Sequence, residues 1–83
     1  MDWERIARTL IPPARLAVLE AFYNARGPLS PVMVARERPE FSIGLIAYHM
    51  AQLEKAGVIE RCGERPRRGA VEHFYRPEHD FWA

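Results

Sequence analysis

Apolar residues recur at helical spacing through the first two thirds of the chain, and the pattern shifts towards strands after Gly57. Trp3, Ile6, Ala7 and Leu10 fall at i, i+3, i+4 and i+7, which predicts a first helix capped by Asp2. Pro12-Pro13 ends it, and proline in a first turn opens a second helix from about Pro13 to Asn24. Leu16, Leu19 and Tyr23 lie along one side of that helix, with Val18 and Phe22 widening the stripe, and Gly27-Pro28 closes it. Ser30-Pro31 reads as an N-cap followed by proline at the first helical position, opening a short third helix that must finish before Pro39. The fourth helix carries the fullest set of signals. Ser42 is its N-cap, Phe41 and Ile46 are placed as a hydrophobic staple, and Ile46, Met50 and Leu53 form its core face. Lys55 favours its last turn and Gly57 is its left-handed terminator. Beyond it, Val58 to Cys62 and Val71 to Arg76 read as strands joined by a charged loop from Gly63 to Gly69. The expected fold is therefore α+β: four helices followed by a C-terminal β-hairpin.

Length and composition narrow the setting. A chain of 83 residues, 48% of them hydrophobic, is one domain spanning 1–83, too apolar for disorder and too short for two cores. At this size folding hides only about 60% of the surface of the unfolded chain, so the monomer is expected to be marginally stable. The single cysteine, Cys62, excludes an internal disulfide framework and suits a reducing compartment. No apolar run approaches the ~20 residues that cross a bilayer, and the first residues lack the pattern of a secretory signal. The expected location is the cytoplasm, with no membrane partner.

Charge is uninformative in total and informative by segment. The net charge is +1, but residues 61–76 hold five arginines against Glu64 and Glu72, while the first sixty residues balance and the tail is acidic through Glu78 and Asp80. Arginine grips phosphate through a planar fork and is favoured for reaching into nucleic-acid grooves.

A short helix, a turn, a capped helix ending in glycine and a hairpin with an arginine-rich tip form the winged helix-turn-helix arrangement, with the helix-turn-helix over about 30–56 and the wing over about 58–76. The stretch Ile46-Ala-Tyr-His-Met-Ala-Gln-Leu-Glu-Lys-Ala-Gly-Val-Ile59 resembles the recognition-helix signature of ArsR-type bacterial regulators. Upstream, Arg15-Leu-Ala-Val-Leu-Glu20 and Gly27-Pro-Leu-Ser30 resemble the helix and short strand before the helix-turn-helix. Downstream, Arg68-Gly-Ala-Val-Glu-His-Phe-Tyr-Arg76 resembles the returning wing strand, so the likeness spans roughly residues 3–76. The resemblance implies a bacterial, homodimeric, DNA-binding transcriptional regulator, expected to repress by covering a promoter. Its recognition helix enters the major groove of double-stranded DNA and its wing meets the adjacent backbone or minor groove.

With Ile46, Met50 and Leu53 turned to the core, Ser42, Ile43, Gly44, Ala47, Tyr48, Ala51 and Gln52 face outward. The candidate DNA contacts are Ser42, Ile43, Gly44, Ala47, Tyr48 and Gln52 on the helix and Arg65, Arg67 and Arg68 on the wing. Few of the helix residues can hydrogen-bond to base edges, which predicts weak or shape-dependent sequence reading. Ile43, Leu45, Ala47 and Tyr48 equally suit a patch that docks another protein, and that alternative stays open. The resemblance also places a dimer interface on the first helix and the C-terminal segment, where Trp3, Ile6, Leu10, Phe81 and Trp82 supply apolar anchors. His49, Cys62, His73 and His79 lack the paired-cysteine pattern of metal sensors, so no metal is expected. No nucleophile motif, phosphate loop or zinc-ligand pair is present, so neither catalysis nor a cofactor is expected.

Overall fold

The computed structural model describes residues 2–82; the side chains of Trp3, Ala7 and Arg8 fall outside the description. Its elements in order are α1 (Trp3–Leu10), α2 (Pro13–Asn24), α3 (Pro31–Glu37), α4 (Ile43–Lys55), β1 (Ile59–Arg67), β2 (Ala70–Pro77) and α5 (His79–Trp82). The fold is α+β, as expected, with a short fifth helix added at the C-terminal end. Glu78 starts that helix by accepting from the Phe81 amide through its side chain and from the Trp82 amide through its backbone.

The helices begin and end where side chains satisfy the free backbone groups. The Ser30 hydroxyl accepts from Met33 N at 3.3 Å to open α3, and Ser42 accepts from Leu45 N at 3.1 Å to open α4. At the other end of α4, Val58 N donates to Leu53 O and Gly57 N to Glu54 O, the paired bonds of a Schellman cap, with Gly57 at φ 78°. Val58 and Leu53, which flank that cap, are both buried.

The core lies between α2, α3, α4 and the base of the hairpin. Ile46 and Met50 of α4 are fully enclosed among Val18 and Phe22 of α2, Val34 of α3, and Ile59 and Tyr75 of the strands. On α2 the buried face keeps Val18 and Phe22 of the expected stripe and departs from it at the other positions. Ala14, Ala17, Val18 and Phe22 are buried, Leu16 and Leu19 are half-buried, and Tyr23 remains 79% exposed. The helix is apolar on both sides, and the alanine side lets α4 come close enough to bury its large residues.

The hairpin also departs from expectation. The segment 63–69 is not a loop: β1 and β2 pair antiparallel from Ile59↔Pro77 out to Arg67↔Ala70, leaving Arg68-Gly69 as a two-residue turn. Both turn residues have positive φ, 44° and 80°, as a primed hairpin turn requires. A bulge at Cys62, between Arg61 and Gly63, re-aims the outer half of the ladder. Leu29, just before α3, bridges Tyr75 through two 2.9 Å backbone bonds and ties the hairpin's base to the helices. Residues 63–71 are all exposed, so the outer hairpin stands clear of the core. The radius of gyration, 12.8 Å, exceeds the roughly 12 Å of a compact chain this long.

Candidate nucleic-acid interface

Three parts of the surface are relevant: the outward face of α4, the groove between α3 and the start of α4, and the projecting hairpin. On α4, Ser42, Ile43, Gly44 and Tyr48 are exposed, while Ala47 and Gln52 are half-buried. The Ser42 hydroxyl is engaged in capping, although it keeps its donor free for another acceptor. Ile43, Leu45 and Tyr48 are 53%, 41% and 56% exposed, an unusually apolar surface for the first turns of a helix that meets water. Val32, Ala35, Arg36, Pro39 and Phe41 line the adjoining groove together with Ser42 and Ile43. Arg36, an exposed cation at its edge, was not singled out from the sequence because its segment carries balanced charge.

The α4 residue His49 faces inward rather than towards the expected interface. It is 6% exposed, and its Nδ1 accepts from Arg15 Nε at 3.1 Å, so the imidazole is held neutral. Burial first, and the Arg15 charge second, push its pKa below the usual imidazole value.

On the hairpin the arginines differ in their partners. Arg65 directs Nε and Nη2 at Glu72 Oε1, at 3.2 and 2.7 Å, and its guanidinium lies 5.5 Å from the centre of the Phe74 ring. Arg67 Nη1 stands 3.6 Å from the same carboxylate oxygen. The other oxygen of Glu72 accepts from Ser30, so one buried side chain links the hairpin arginines to the N-cap of α3. The Ser30 bond and then the Arg65 fork hold the Glu72 carboxyl below the ordinary glutamate range. Arg68, in the turn, makes no ion pair among the described residues. Arg61 lies nearer the base, 3.4 Å from the Tyr75 hydroxyl and 3.7 Å from Glu54. Thus Arg65, Arg67 and Arg68 are gathered on the outer hairpin, two of them bound to a common carboxylate and one free. The role of Glu72 was hidden in the sequence because the 63–69 segment read as a loop, and only the true register sets Arg65 opposite Glu72.

Of the residues expected at a dimer interface, Leu10 and Phe81 are 74% and 60% exposed and Ile6 is half-buried. The Trp3 side chain falls outside the described residues. Trp82 turns inward, donating from Nε1 to Val58 O at 2.7 Å and packing against the core. Beside it, Leu19, Tyr23, Phe81 and Trp82 line a shallow apolar groove between α2 and α5. Among the described residues no three histidines, cysteines or carboxylates are grouped to hold a metal, and no helix is long and apolar enough to cross a membrane. No family model matches the chain, and no curated protein matches it.

Proposed function

We propose that the chain is a winged helix-turn-helix module that binds double-stranded DNA as a transcriptional regulator and acts by covering a promoter. The reading is carried by one observation: an arginine-bearing hairpin, ending in Arg68, projects from a domain whose capped helix α4 exposes its N-terminal half. An α-helix fits the major groove, and a basic hairpin beside it reaches backbone phosphates or the narrow minor groove. In this reading α3 and α4 are the helix-turn-helix, β1 and β2 are the wing, and Leu29 is the short strand beside them. The order agrees with the resemblance to ArsR-type regulators. Ile43 and Ala47 touch thymine methyl groups, Tyr48 and Gln52 supply hydrogen bonds, and Gly44 lets the backbone approach. A second copy joins through the exposed apolar residues Leu10 and Phe81. No catalytic group, metal or cofactor takes part.

The test is the salt dependence of binding to a labelled duplex of mixed sequence. Affinity is expected to fall by an order of magnitude or more between about 50 and 200 mM salt. Arg67→Ala with Arg68→Ala is expected to weaken binding to all sequences and to lower the log–log salt slope by roughly two phosphate contacts. Unchanged affinity and slope in that variant would count against a wing on the backbone.

The exposure of Ile43, Leu45 and Tyr48 favours a second reading, a module that docks another protein through α4. Absence of any DNA complex at low salt, where phosphate contacts are strongest, counts against the first reading and leaves this one.

A further inference from the structure

The carboxylate of Glu72 sits on the hairpin yet is almost fully enclosed, its side chain 2% exposed. A carboxylate in that position is costly unless it is paired and hydrogen-bonded, and here each oxygen is occupied. One accepts from Ser30, the residue that caps α3; the other holds Arg65 by two donors and lies within reach of Arg67. Arg65 gives Glu72 one edge of its fork and keeps its remaining donors, with the side chain 62% exposed; Arg67 is 46% exposed.

We propose that Glu72 is a positioning residue of the wing: anchored on Ser30, it orients the guanidinium groups of Arg65 and Arg67 to receive a DNA phosphate on their free donors. The inference rests on the DNA-binding reading. A free arginine loses rotamer freedom when it meets a phosphate, whereas one already held on its inner edge loses less. Glu72 carries a negative charge near the phosphates, so simple Coulomb repulsion argues for the opposite effect. Glu64 provides the comparison. It lies on the same hairpin with the same charge, its side chain is 66% exposed, and it pairs with His73 at 3.6 Å, with Arg61 near enough only to feel its charge.

The experiment measures affinity for a short labelled duplex at low salt in the Glu72→Gln and Glu64→Gln variants, with melting curves as the check on folding. Glu72→Gln is expected to weaken binding by about fivefold, while Glu64→Gln, which removes the same charge, leaves it unchanged or tighter. Nitrogen-15 relaxation of the arginine Nε–H groups in the free protein is expected to show Arg65 ordered and Arg68 mobile, with Arg65 mobile in Glu72→Gln. Glu72→Asp, which retains the charge and withdraws the carboxylate by one methylene, is expected to weaken binding as well, and it decides the matter if Glu72→Gln does not fold. Tighter binding by Glu72→Gln, or unchanged binding by Glu72→Asp, overturns the proposal. A native protein that binds no duplex overturns the DNA reading itself, and the positioning role with it.

Discussion

Two titratable side chains enclosed by the fold give it an acid sensitivity that a surface charge count does not disclose. The bond from Arg15 to His49 needs a neutral imidazole, and burial beside a guanidinium lowers the folded pKa below the ~6.5 of an exposed histidine. Because the folded value lies below the unfolded one, this contribution to stability is complete above about pH 6.5 and declines as pH falls through the folded value. Glu72 acts by the same sign in a lower window: its carboxylate stabilises the fold above about pH 4.3, the ordinary glutamate value, and the contribution is lost as pH falls through its depressed folded value. Melting temperature against pH is thus expected to fall in two acid steps. His49→Gln, which still offers an acceptor to Arg15, is expected to flatten the upper step and leave the lower one.

Among the elements, α4 and the hairpin mark the limits of what the sequence discloses. Helix α4 was legible because its signals are local: Ser42 caps it, Gly57 ends it, and Ile46, Met50 and Leu53 are buried as their spacing requires. The hairpin's existence was legible, but its register was not. Register follows from the turn, and Arg68-Gly69 is a two-residue turn whose first residue is not one of the types that announce it. On α2, apolar residues on two sides left the choice to tertiary packing, and the alanine side won because it accommodates α4. The inward bond of Trp82 to Val58 O depends on a contact across the fold that no local pattern specifies. The hairpin is anchored at its base by the Leu29–Tyr75 bridge and exposed beyond Gly63, so its strength is uneven. A two-stranded ribbon without a covering layer is marginal in water. Amides between 64 and 70 are therefore expected to exchange with solvent by local opening, while those of Met50 and Leu53 require opening close to global, as hydrogen exchange followed by NMR will distinguish.

For the molecule as a whole, exposed apolar side chains away from α4 are the main unspent surface. Leu10, Tyr23 and Phe81 are each at least 60% exposed, and Tyr23 and Phe81 share a groove with Leu19 and Trp82. In the proposed dimer that surface is covered, and a two-fold axis sets two copies of α4 about one DNA turn, ~34 Å, apart over a palindromic site. Sedimentation at tens of micromolar is expected to show a dimer, and Leu10→Asp with Phe81→Asp a folded monomer. A monomeric native protein at that concentration removes the dimer and the palindrome together.

The turn at the end of the hairpin carries a further consequence. Arg68 adopts φ 44°, a conformation that asparagine or glycine tolerates better than arginine does. Its replacement by asparagine thus relaxes the hairpin while removing the outermost positive charge. Heat challenge of a mutant library would enrich such replacements, whereas selection for the DNA binding proposed above would discard them. The two screens would rank the same residue in opposite order, and a variant chosen for robustness alone would arrive already blunted at its tip.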